Sequence, residues 1–173
     1  TQYNVAYKYF SVILMVINIL LMPFWSAFTD AYTRKDYIWM KNIFRKLSLI
    51  SFCSILPLTI MLIVSPYIMR WWVGDSVTFS WGILICMSIY IWILSQSTMS
   101  MSLINGIGYL KIQTIIYVVS AILSVPLIYF LCMKYGILGA MIVPTVVYLV
   151  QFIFAQVQLR KLLNCSAKGV WIK

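Results

Sequence analysis

Amides and hydroxyls set into otherwise apolar runs are the residues of this chain best placed to do chemistry. The chemistry they offer is hydrogen bonding. Asn18 lies near the middle of the charge-free run 9–29, and Gln96 lies among Ser95, Ser97, Thr98, Ser100 and Ser102. In hydrocarbon such groups must face protein or a water-filled cavity, because lipid tails offer no partner. Asn18 reads either as a lumen-facing group beside the backbone carbonyl that Pro23 leaves free or as an interhelical hydrogen bond. Gln96 reads either as a cavity residue or as part of a packing seam of small residues.

Bond-making chemistry has few candidates. The chain has no histidine and no glutamate, and its acids are Asp30, Asp36 and Asp75, with no two of them within a turn. No general acid–base pair can be assembled from these, and the serines around Gln96 have no base to activate them. Cys53, Cys86, Cys132 and Cys165 form no CxxC pair, so they read as small packing residues rather than as a zinc site or a disulfide framework. A transporter is expected rather than an enzyme, without metal or cofactor.

The elements that must position Asn18 and Gln96 follow from composition. Of the 173 residues 64% are hydrophobic and 9% charged, against about 25% charged in a soluble domain. So much apolar surface cannot be hidden in a soluble fold of this size, and the solvent is lipid. An all-α polytopic bundle is expected, with five spans at about 9–29, 47–69, 79–103, 112–133 and 139–159. Each is long enough to cross a hydrocarbon core of ~30 Å at ~1.5 Å per residue. Pro23 and Pro57 are expected to bend their helices. Asn105-Gly106-Ile-Gly108 and Lys134-Tyr-Gly136-Ile-Leu-Gly139 read as tight turns, and Gly74-Asp75-Ser76 as another. Arg70-Trp71-Trp72 and the stretch Thr78–Trp81 mark interfaces.

Net charge is +10. In a soluble protein that would point to nucleic acid. Here the cations flank apolar runs, which points to membrane orientation and anionic headgroups, with no nucleic acid. Arg34, Lys35, Lys41, Arg45 and Lys46 crowd one connection, and at helical spacing Tyr37, Trp39, Met40, Ile43, Phe44 and Leu47 fall on the opposite face. Ile38 breaks this pattern, and Asp36 suits a helix N-cap. The stretch 34–46 reads as an interfacial amphipathic helix, with a plain solvated basic linker as the alternative. With that connection in the cytoplasm, Lys111 and the basic tail 160–173 lie inside as well, while Lys8, Arg70 and Lys134 lie outside. That puts ten cations inside and three outside and orients the first residue out and the last in.

The chain starts at Thr1 and runs almost at once into a span, without a signal-peptide pattern. It is expected to be the C-terminal part of a longer protein. The first span ends in Pro23-Phe-Trp-Ser-Ala-Phe-Thr-Asp30-Ala-Tyr and is followed by Arg34-Lys35-Asp36 and the basic amphipathic stretch. Later come Leu103-Ile-Asn105-Gly106-Ile-Gly108-Tyr-Leu-Lys111 and Lys134-Tyr-Gly136-Ile-Leu-Gly139-Ala140. This order of features resembles the polysaccharide repeat-unit flippases (O-antigen or capsule, Wzx-type). They belong to the multidrug/oligosaccharidyl-lipid/polysaccharide exporter superfamily.

The resemblance implies a two-lobed transporter of at least twelve spans, of which these five would form most of the C-terminal lobe. It implies a bacterial inner-membrane protein that moves undecaprenyl-diphosphate-linked oligosaccharide for O-antigen, capsule, lipopolysaccharide or exopolysaccharide synthesis by alternating access. Polysaccharide polymerase and chain-length regulator proteins would be its partners. The family's cationic cavity has no counterpart in mid-span here. Substrate contacts would fall to Asn18, Tyr90, Gln96 and Tyr117, with Lys8 and Arg70 as the nearest cations. A drug/cation antiporter or lipid II flippase of the same superfamily, and a non-functional truncated relic, are the alternatives. The antiporters typically need acidic residues in their spans, and these spans have none.

Overall fold

The computed structural model describes residues 2–74, 80–167 and 169–171. Asp75 and Ser76 of the expected turn, Thr78 and Phe79 of the expected interface edge, and Lys168 and Lys173 of the tail lie outside them. The described residues form six α-helices and a short 3₁₀ helix, with no strand: α1 Gln2–Thr33, α2 Tyr37–Cys53, α3 Ile55–Val73, α4 Trp81–Ile107, α5 Lys111–Tyr135, α6 Ile137–Leu163, then Gly169–Trp171. Helices α2 and α3 together make one 36-residue span, so five segments are long and apolar enough to cross a membrane. The chain is a multi-pass membrane protein, as its apolar runs require.

The observed helices overrun the expected spans at both ends, except that α4 begins at Trp81, inside the expected 79–103 span. Apolarity marks only the hydrocarbon-crossing part of a helix, and the backbone ladder continues past it until a cap or breaker intervenes. Pro23 sits inside α1, which continues through it. Pro57 is not mid-helix; it lies in the first turn of α3, just after the break at Ser54. Proline has no N–H to offer the Cys53 carbonyl and its ring crowds that carbonyl. The chain therefore turns at Ser54, whose N–H and Oγ both bond the Ser51 carbonyl, at 3.2 and 2.6 Å.

Two expected turns are displaced. Asn105 and Gly106 are helical, and α4 ends only after Ile107, at Gly108 with φ 95°. Gly139 is likewise helical; the reversal between α5 and α6 is made by Gly136 alone, with φ 61°. Gly106 and Gly139 serve as points of close approach. A Cβ on Gly106 would stand 2.7 Å from the Trp25 carbonyl oxygen, and one on Gly139 would collide with the Leu131 carbonyl.

The basic stretch is amphipathic as its spacing predicts. Met40 and Leu47 are buried and Tyr37, Trp39, Ile43 and Phe44 half-buried, while Lys41, Arg45, Lys46 and the pattern-breaking Ile38 are exposed. Asp36 caps α2, accepting from the Trp39 N–H at 3.0 Å. The stretch is not set off as a helix of its own. Arg34 and Lys35 lie in the turn after α1, and the rest is the start of α2, which runs unbroken to Cys53.

Helix α4 is central, packed along α1 on one side and α6 on the other, whereas α5 packs chiefly on α6. One apolar core, around Phe28, Met40, Leu103 and Leu159, fills the end that carries the basic stretch. A second, around Phe10, Met87, Ile91 and Met141, fills the other end. The turns after α1 and α4 meet at the basic end, where the Tyr32 and Tyr109 hydroxyls lie 3.1 Å apart. Arg34, Lys35, Lys41, Arg45, Lys46, Lys111, Arg160 and Lys161 therefore gather at one end of the bundle, and Lys8, Arg70 and Lys134 at the other.

Candidate functional site

A cleft of about 410 Å³, its mainly apolar walls set with amides and hydroxyls, opens among α1, α4, α5 and α6. Helical spacing builds its walls. Asn18, Met22 and Trp25 come from α1, and Ser97, Met101 and Asn105 with Thr98 and Ser102 from α4. Gln113 and Tyr117 come from α5, and Tyr148 from α6. Residues four apart share a helix face, so α4 presents two adjacent rows to this space, Ser97/Met101/Asn105 and Thr98/Ser102. The cleft extends from the middle of the bundle toward the basic end, since Asn105 and Gln113 lie within a turn of the α4–α5 connection. No charged side chain lines it.

Polar capacity in the walls is unspent. Ser97 Oγ, Asn105 Oδ1 and Gln113 Oε1 are buried and have no hydrogen-bond partner among the described residues. A buried unpaired acceptor costs about 1–3 kcal/mol; these atoms are closed off from the cleft space, so a ligand there would reach them only after the side chains turn toward it. Neither amide atom of Gln151 on α6 has a partner among the described residues; this fully buried residue shares a small gap among α4, α5 and α6 with Gln113. The Tyr117 hydroxyl contacts Met101 Sδ at 3.4 Å, holding α5 beside α4 at the cleft wall.

The residues singled out from sequence divide into three groups. Asn18 and Tyr117 line the cleft. Tyr90 is buried behind it, its ring 5.9 Å from that of Tyr148, and acts by supporting that wall residue. Gln96, Lys8 and Arg70 are outside it. Gln96 lies on the opposite face of α4, 3% exposed, and donates from Nε2 to the Ser51 carbonyl at 2.6 Å. Its amide latches α4 to the α2–α3 break, where the turn leaves a carbonyl within reach. Lys8 and Arg70 lie at the far end of the bundle, both exposed.

The serines split the same way. Ser95 and Ser100 turn their hydroxyls back onto the Ile91 and Gln96 carbonyls of α4, and Gln156 Nε2 donates to Ser100 Oγ at 3.1 Å. Gln96 itself takes the packing role, while Ser97, Thr98 and Ser102 of the same segment line the cleft on another face. Sequence reasoning missed Gln113, Asn105 and Tyr148 as wall residues. The i, i+4 pairs Gln113/Tyr117 and Ser97/Met101/Asn105 carried a signal, whereas nothing marked Tyr148.

Gln96→Leu is expected to cost about 1 kcal/mol, because Leu fills the site while the Ser51 carbonyl keeps its bonds from Ser54. The unfolding free energy in bicelles measures it. Lost transport with unchanged stability would restore Gln96 to the substrate path.

Among groups that could hold a metal, the described residues offer no cluster of histidine, cysteine or acid side chains. No family model, no curated protein and no solved structure matches the chain.

Proposed function

We propose that the chain forms part of a flippase that carries a lipid-linked oligosaccharide across the bacterial cytoplasmic membrane. The observation that supports this reading is an uncharged cleft between the spans lined by the amide residues Asn18, Asn105 and Gln113 and the hydroxyl residues Ser97, Thr98 and Ser102 beside Trp25, Tyr117 and Tyr148. Amides and hydroxyls match sugar hydroxyls, and aromatic rings offer faces to sugar C–H groups. A drug cation would instead need acids, and the described acids, Asp30 and Asp36, lie at the basic end outside the cleft. The cation asymmetry favours the basic end in the cytoplasm. The cleft then opens from mid-membrane toward the side on which undecaprenyl-diphosphate-linked units are made. A second lobe facing the cleft would complete an alternating-access path, and polymerase and chain-length regulator proteins would receive the product.

The test uses near-isosteric replacements that preserve the fold. Asn18→Leu with Asn105→Leu is expected to lower translocation of a fluorescent undecaprenyl-diphosphate oligosaccharide in proteoliposomes about tenfold, the worth of one or two lost hydrogen bonds. Translocation at the unsubstituted rate would remove the cleft from the sugar path.

A further inference from the structure

On the opposite side of α4 from the cleft, α2 and α6 enclose a second, basic pocket of about 380 Å³. Lys41 and Arg45 of α2 and Arg160 of α6 converge on it, and Ser48, Gln156 and Asn164 supply its other polar groups. No acid lines it, and the one ion pair among the described residues, Arg34 to Asp30, lies elsewhere. Three cations thus face one another without a counter-ion, an arrangement that repels itself unless an anion is shared. From Asn164 to Gln156 the pocket runs ~12 Å along α6 at ~1.5 Å per residue, so it reaches well below the helix ends.

Its chemistry changes with depth. The cations lie toward the basic end of the bundle. One turn deeper, the same faces of α2 and α6 present Leu49 and Phe52, and Ile153 and Val157, all exposed. A charged head above an open apolar seam has the polarity order of a phospholipid. Arg and Lys set between membrane helices at a headgroup surface are the usual means of holding a lipid phosphate.

We infer that the Lys41–Arg45–Arg160 pocket binds the phosphate of an anionic lipid, with the acyl or isoprenoid chain lying along the seam below. This site is separate from the cleft, on the other face of α4, and does not depend on what the cleft carries.

Native mass spectrometry of the detergent-purified chain tests it, with phosphatidylglycerol, undecaprenyl phosphate, phosphatidylcholine and inorganic phosphate as probes. Each pocket cation that contacts the phosphate strengthens binding roughly fivefold, about 1 kcal/mol, whereas cations outside the pocket do not touch it. The Lys41→Gln/Arg45→Gln/Arg160→Gln variant is therefore expected to retain phosphatidylglycerol or undecaprenyl phosphate about a hundredfold more weakly. The control Lys35→Gln/Lys46→Gln/Lys111→Gln removes the same charge from the same end outside the pocket and is expected to change retention less than threefold. Should the first variant fail to purify as a single species, Arg160→Gln alone is expected to show the fivefold loss. Equal losses in both variants, or equal retention of phosphatidylcholine, would overturn the site. Inorganic phosphate binding as tightly as the anionic lipids would overturn the lipid as its source.

Discussion

Gly139→Val is expected to unlatch α5 from the bundle, with a loss of about 3 kcal/mol or more, the upper end of what overpacking costs. The connection between α5 and α6 is the single residue Gly136, with φ 61° and ψ −141°, a conformation glycine alone adopts readily. So short a reversal forces the two helices together, and they meet where Gly139 faces the Leu131 carbonyl. A Cβ there would stand 2.5 Å from the Leu131 carbonyl carbon and 3.1 Å from the Cys132 nitrogen. These are backbone atoms, so no rotamer change relieves the collision and the hairpin must part. Ile112 is the only buried residue of α5 among those described, and an apolar groove of about 730 Å³ runs between α5 and α6. The unfolding free energy in bicelles measures the loss. Gly82→Ala is the comparison, because its Cβ would meet Leu138 at an ordinary 3.5 Å, and the gain in helix propensity makes it neutral or stabilising by up to ~1 kcal/mol. Equal effects of the two substitutions would show that the latch is not what holds the hairpin.

How much of this was legible in the sequence depended on whether a feature's partner lay in the same segment. Span number and amphipathicity are local, so Lys41, Arg45 and Lys46 faced outward and Asp36 capped α2 as their spacing required. Gln96 was only half-legible. The sequence marks an amide that needs a partner, but the Ser51 carbonyl that supplies it is exposed by a break in another helix. Asn105-Gly106 misled because the same dipeptide serves turns and close helix contacts, and Trp25, far back on α1, decides between them. The cleft stayed hidden for the same reason, since each helix contributes only one or a few polar side chains and the convergence exists only in three dimensions.

That second close contact sets the next expected result: Gly106→Val should cost about 2–3 kcal/mol and reshape the cleft as well. Helices α1 and α4 approach closely at Gly106, where a Cβ would stand 2.7 Å from the Trp25 carbonyl oxygen and 3.3 Å from the Phe28 Cβ. Thr29 Oγ1 reinforces the contact by donating to the Gly106 carbonyl at 2.6 Å. Branching at position 106 pushes α1 away from α4, breaks this hydrogen bond and separates Trp25 from Asn105, which wall the same cleft. Gly108→Ala separates sterics from strain. Its φ is 95° and the space around it is open, so it carries backbone strain of about 1–2 kcal/mol without moving a helix. Hydrogen exchange is expected to rise in the last turn of α4 and in α1 around Trp25 for Gly106→Val, and to stay local to the α4–α5 connection for Gly108→Ala. If both substitutions loosened only the connection, the close approach at Gly106 would not be what sets the width of the cleft.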